Sequence, residues 1–150
     1  MYKSILVPTD GSGLSARAVD QAVDLAKTMG ATVTVLHVVP EFQMFLDEGY
    51  VVPTTTSRSL VTQFKQQTDA RSKEILDAAS AEAAAAGVKC EAISVTSSSP
   101  YDAIIKQAAR FKSDLIVMAS HGRKGLGGLL LGSETTKVLV HSKVPVLVIR

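Results

Sequence analysis

The chain has 150 residues, 46% of them apolar and 20% charged, with a formal net charge of +2. That length suits one domain with a substantial core, and that composition excludes a disordered chain. Acids and bases are interspersed, so no basic face offers itself to DNA, RNA or anionic lipid. No apolar run approaches the roughly 20 residues that span a bilayer, and a strand already begins at Ser4, so no membrane partner and no leader are expected. The single cysteine, Cys90, excludes an internal disulfide and a cysteine metal cluster, and it fits a reducing cytoplasm.

Taken in order, strand and helix patterns alternate. Ser4-Ile5-Leu6-Val7 is a short apolar and β-branched run ending at Pro8, and reads as a first strand. Leu14, Ala18, Ala22, Leu25 and Met29 recur at helical spacing over 13–29, and Gly30 stops that helix. Residues 32–39, TVTVLHVV, form a second strand closed by Pro40. From Glu41 to Thr62 no period is evident, and this stretch reads as a long excursion or flap. Thr68 to Ala86 carries Leu76, Ala79, Ala83 and Ala86 in register, a helix ended by Gly87. Val88 to Val95 is a weaker third strand. A helix over 100–111 is marked by Ile104, Ile105, Ala108 and Ala109, and Ser99-Pro100-Tyr101-Asp102 offers a cap serine, a first-turn proline and an acid three residues on. Leu115 to Ala119 is the fourth strand, 133–142 the last helix and Val146 to Ile149 the fifth strand.

Strands apolar on both faces and separated by helices predict an α/β fold: a single-domain, five-stranded parallel sheet with helices on both faces. In such a sheet ligands sit beyond the carboxyl ends of the strands, where the winding reverses. Pro8-Thr9-Asp10-Gly11-Ser12-Gly13 after the first strand and Ala119-Ser120-His121-Gly122 after the fourth both face that crevice. Gly11, Gly13 and Ala16 match the dinucleotide pattern G-x-G-x-x-A, but Asp10 would set a carboxylate beside the pyrophosphate. From Leu115 to Ser133 a strand runs into a loop with Gly122, Gly125, Gly127, Gly128 and Gly132, then into a helix start. Such an arrangement suits phosphate capture by backbone N–H groups and the positive helix end, and equally suits a plain surface turn. No glycine in it is followed by Lys and then Ser or Thr, so it is not a P-loop.

The segments ILVPTDGS, LHVV, SHGRKGLGGLLLGS and KVPVLVIR together resemble the universal stress protein family, in its nucleotide-binding branch, nearly end to end. That resemblance implies a Rossmann-like fold of the adenine nucleotide alpha-hydrolase-like kind. The family's signature, G-2x-G-9x-G followed by Ser or Thr, is met by Gly122, nine residues, and Gly132-Ser133. Its leading glycine is Ala119 here, and Ser99 stands where relatives often have glycine. If the leading glycine only admits the ligand closely, a methyl group is tolerated; if it needs positive φ, alanine costs more.

Carried over residue by residue, the resemblance implies a nucleotide site. Pro8, Thr9 and Asp10 match the segment lining adenine and ribose, with the Asp10 carboxylate available to a ribose hydroxyl or a magnesium-bound water. Val38 matches the position whose backbone addresses the adenine edge. Met118 and Ala119 end the fourth strand, and Ala119 and Gly122 flank the α-phosphate. Gly132, Ser133, Glu134 and Thr135 offer N–H groups, and Ser133 a hydroxyl, to the phosphate chain. His121, Arg123 and Lys124 sit at the loop's start. Each has a structural alternative: Asp10 and Ser133 as helix caps, Pro8 as a strand end, Val38 as core, His121 as a hydrogen-bonded hinge and the two cations as a solvated tip. His37 lies in a strand and His141 near a helix end, with no partners at ligand spacing, so no zinc site is expected.

The resemblance implies a cytoplasmic regulatory protein of the stress response that binds ATP or AMP, with or without magnesium. It also implies a homodimer built through the last strand, Val146, Leu147, Val148 and Ile149. Two alternatives remain: slow ATP hydrolysis or autophosphorylation, and a dimerising scaffold without nucleotide. The absence of a P-loop lysine and of an arranged base for water favours binding without catalysis.

Overall fold

The apolar runs read above fold as neighbouring strands because each can bury both of its faces only inside a sheet covered on both sides. The computed structural model describes residues 1–42, 54–122 and 131–150. Its elements are β1 (Ser4–Pro8), α1 (Gly13–Met29), β2 (Thr32–Val39), α2 (Thr54–Ala85), β3 (Cys90–Thr96), α3 (Pro100–Arg110), β4 (Leu115–Ala119), α4 (Ser133–His141) and β5 (Val146–Ile149). The sheet runs β3-β2-β1-β4-β5, and every neighbouring pair is parallel. The chain winds outward from β1 to β3, then returns to lay β4 on the other side of β1. The expected five-stranded parallel sheet with helices on both faces is therefore the observed one.

Alternation along the strands divides the core. Ile5 and Val7 of β1, Val33 and Val35 of β2, and Leu115 and Val117 of β4 face α1 and α2. There Ala18, Ala22, Ala26, Ala79 and Ala83 let the helix backbones approach closely. Leu6, Leu36, Ile116 and Met118 face the opposite way, against Ile104 and Ala108 of α3 and Val138 of α4. Ser12 caps α1 by accepting from the Ser15 amide at 3.2 Å. Gly30 ends it in the left-handed region at φ 66°, where a side chain is strained. Asp114 pins the start of β1 to β4, taking the Lys3 amide at 2.8 Å and the Ser4 amide at 3.0 Å. Desolvation resists its charge, but those amides hold its carboxyl below the usual range.

Three expectations are corrected. α2 begins at Thr54 and not at Thr68, so 54–62 of the expected excursion is helix, while 43–53 lie outside the described residues. Residues 58–63 of α2 are exposed, and the buried positions start at Ser72 and Ile75. A helix that buries nothing leaves no apolar period to read. β3 begins at Cys90 and ends at Thr96; Val88 is buried just before it. The Ser99 hydroxyl makes no capping bond to α3, and Asp102 pairs with Lys106 at 2.6 Å instead of closing a capping box. Among the described residues no helix is long and apolar enough to cross a membrane.

Where α2 crosses α1, burial raises the Glu82 carboxyl above its ordinary value, helped by Asp20, which also hydrogen-bonds it, and by Asp24. The folded protein thus keeps a proton on Glu82 where the unfolded chain has lost it. Stability consequently falls as pH rises from 4.5 through the raised value. Glu82→Gln is expected to stabilise the protein at neutral pH, with the gain vanishing below about pH 4. Thermal melts across that range check this; a variant less stable than the parent at neutral pH would refute it.

Candidate functional site

Parallel neighbours β1 and β4 send their chains to opposite sides of the sheet, so the loops that follow them part and leave a crevice at the carboxyl edge. Pro8 closes β1 in register with Leu36. The Thr9 amide donates to the Leu36 carbonyl at 2.8 Å, which ties the departing chain to β2. Its buried hydroxyl lies 3.0 Å from Ser15 Oγ and accepts from the Gly11 amide at 3.3 Å. Asp10 Oδ1 accepts from the Ser12 amide at 3.0 Å, while Ser12, not Asp10, is the N-cap of α1. Gly11, at φ 75°, turns the chain into the helix. These bonds orient the Asp10 carboxylate across the crevice toward the loop after β4: a Cβ on Gly122 would lie 2.7 Å from Asp10 Oδ2.

On the β4 side both ends of the glycine loop are anchored. The Ser120 amide donates to the Ile149 carbonyl of β5 at 2.8 Å, and the Gly132 amide to the Ser120 carbonyl at 2.7 Å. Thr135 Oγ1 donates to the Ala119 carbonyl at 3.0 Å. A Cβ on Gly132 would lie 3.1 Å from the His121 Cα, a tight contact that would press the two backbone segments apart by a few tenths of an ångström. His121 Nδ1 is 3.2 Å from Ser120 Oγ. Gly132 is the N-cap of α4 and lends it no side chain, and Ser133 is its exposed first residue, so Ser133 is not the cap. Helix geometry leaves the Ser133, Glu134 and Thr135 amides without intrahelical acceptors, at the positive end of the macrodipole.

Ala119 resolves the alternative left open by the signature. Lys112 is the sole non-glycine at positive φ among the described residues, so Ala119 carries no strain of that kind. It pairs with Ile149, and it packs in the cluster under α1. Its methyl is absorbed by the core.

The structure thus brings Pro8, Thr9, Asp10, Ala119, His121, Gly122, Gly132, Ser133 and Thr135 to one edge. Val38 is partly buried, two residues beyond the Leu36 that holds Thr9, and packs against the α3–α4 side of the core. Met118 is buried on that same side, so only its backbone faces the edge. The Glu134 side chain turns away, to α3. Arg123 and Lys124 lie outside the described residues. Sequence reasoning read this part of α2 as helix but not its place beside the site: Arg71 and Ile75 line a cleft of about 190 Å³ with Thr9 and Gly11. Ile75 carbons lie 2.8 Å from where a Gly11 Cβ would be. No local signal marks such a contact, which joins residues far apart in the chain.

The donor set can hold an anion on α4 and a hydroxyl on Asp10. Among the described residues no group of three or more His, Cys, Asp or Glu is placed to hold a metal ion. The two glycines let the Asp10 carboxylate and the His121 backbone come close at this edge.

A family model described as the universal stress protein family matches residues 1–150. The chain is 34% identical to the universal stress protein YxiE of Bacillus subtilis, over 100% of each chain. It superposes on the structure of MJ0577 of Methanocaldococcus jannaschii with a TM-score of 0.82 at 30% identity, covering 99% of this chain and 96% of that one. A universal stress protein in complex with cAMP matches with a TM-score of 0.72 at 29% identity, covering 99% and 97%.

Gly122→Ala is expected to push the Asp10 carboxylate from its place at little cost in stability, within about 1 kcal/mol, because the displaced atom ends a flexible side chain. Hydrogen exchange should show a faster Ser12 amide in the variant. An unchanged Ser12 amide would show that Asp10 had not moved.

Proposed function

Since the chain belongs to the universal stress protein family, we propose that it binds an adenine nucleotide, ATP or AMP, at the carboxyl edge between β1 and β4. The observation that carries this reading is the juxtaposition of the Asp10 carboxylate, over Gly122, with the N-terminus of α4, to which Gly132 lends no side-chain cap. An acid on one wall suits a ribose hydroxyl, and helix amides on the other suit phosphate. The 29% identical universal stress protein in complex with cAMP supports the same ligand class.

In this reading Pro8, Thr9 and the Val38 backbone border adenine, and Asp10 takes the ribose. The Met118 and Ala119 backbone, Gly122 and His121 border the first phosphate. Amides of Gly132, Ser133, Glu134 and Thr135, with the Ser133 hydroxyl and Arg123, take the rest. A magnesium ion arriving with the nucleotide would be met by Asp10 through water. The protein works in the cytoplasm as a regulatory homodimer whose state follows the bound nucleotide. β5 supports the dimer: it is an edge strand of Val146, Leu147, Val148 and Ile149, with Leu147 exposed and Leu139 and Val140 exposed on α4 nearby in sequence. An apolar edge of this kind needs cover.

Calorimetric titration of nucleotide-free protein is expected to show micromolar binding of AMP or ATP, weakened at least about tenfold by Asp10→Ala with Ser133→Ala. No heat and no thermal shift at millimolar nucleotide would leave the dimerising scaffold as the function. Leu147→Asp is expected to give a monomer in sedimentation equilibrium; a variant that sediments as the parent does would move the interface elsewhere.

A further inference from the structure

The first turn of α3 needs acceptors for its amides, and its own N-cap residue supplies none: Ser99 makes no side-chain bond to the helix. The acceptor comes from another helix. Glu134 Oε2 takes the Tyr101 amide at 2.8 Å, across 33 positions of sequence. Its other oxygen, Oε1, takes Lys137 Nζ at 2.9 Å one turn along α4. Lys137 Nζ in turn lies 5.5 Å from the centre of the Tyr101 ring, and the His141 ring is 5.4 Å from it. Both carboxylate oxygens are therefore engaged, Oε2 by α3 and Oε1 by Lys137 of α4 itself. That placement is favourable for a negative group, at the positive end of α3 and beside a cation.

We propose that Glu134 is a positioning residue for phosphate: by clamping α3 it fixes the start of α4 and keeps its own charge off the amides that receive the anion. This rests on the nucleotide reading above. Glu134 stands in the first turn of α4, where a carboxylate folded back on its own helix would compete with a bound anion for the same N–H groups. Held by Tyr101 and Lys137, it does not compete. The α4 start then has three anchors: Gly132 to the Ser120 carbonyl just past β4, Thr135 to β4 itself, and Glu134 to α3.

The sign of the effect separates this role from simple electrostatics. Removing an acid beside a phosphate site should tighten anion binding, whereas removing the clamp should loosen it. In calorimetric titrations Glu134→Ala is expected to weaken AMP and ATP about tenfold while leaving adenosine, which has no phosphate, unchanged. Glu134→Gln keeps an oxygen for the Tyr101 amide and should stay within about threefold of the parent. AMP bound as tightly or more tightly by Glu134→Ala would overturn the proposal. An equal loss for adenosine and AMP would too, since general loosening of the fold produces it. Amide exchange at Tyr101 without nucleotide tests the clamp separately. Slow exchange in the parent and in Glu134→Gln, and fast exchange in Glu134→Ala, is expected; equal exchange in all three overturns the clamp. A parent that binds no nucleotide yet shows that exchange pattern overturns the nucleotide reading, and with it the phosphate role.

Discussion

The position of β1 at the point where the winding reverses is the constraint on which the rest of this structure depends. Ile5, Leu6 and Val7 are fully buried, and the strand has hydrogen-bonded neighbours on both sides, β2 and β4. A parallel sheet can be covered on both faces only if some pair of neighbours sends its crossovers to opposite faces. Here that pair is β1 and β4: α1 packs with α2 on one face and α4 with α3 on the other. The crevice between their loops follows from the topology, before any side chain lines it.

What frames that crevice is a small set of backbone bonds. Thr9 is held to β2, Ser120 to β5 and Gly132 to Ser120, so the loop ends are fixed by the sheet itself. A rigid frame of this kind lowers the ordering that a ligand would otherwise have to impose. The close approaches at Gly122 and Gly132 complete it, one beside a carboxylate and one beside another backbone segment. These two glycines serve proximity, not unusual torsion, whereas Gly11 serves both: it turns the chain at positive φ and sits against Ile75.

Legibility tracked burial. β1, β2 and β4 were readable nearly to the residue because two-sided burial leaves unbroken apolar runs, and β5, a half-buried edge strand, because Val146 to Ile149 is apolar throughout. β3 was weaker because it is an edge strand with Glu91, Ser94 and Thr96 exposed. The start of α2 was missed because residues 58–63 are exposed and carry no period, although the buried half, from Ser72 through Ala83, was found. Ser99-Pro100-Tyr101-Asp102 looked like a self-contained helix start. A carboxylate from α4 took the role that the pattern assigned to the serine.

The sequence by itself determined the fold class, the order of the elements and the family, because these rest on local periodicity and on motifs contiguous in the chain. It also placed Thr9, Asp10 and Gly122 just past strand ends and Gly132 and Ser133 at a helix start, and so toward one edge of the sheet. Only the tertiary structure decided what they do to one another. That Asp10 lies over Gly122, that Ala119 is unstrained and its methyl buried, that Arg71 and Ile75 reach the Gly11 turn, and that Glu134 serves α3 are facts of packing between distant segments. Contacts of that kind leave no periodic trace, because nothing in the local chain has to change for them to form.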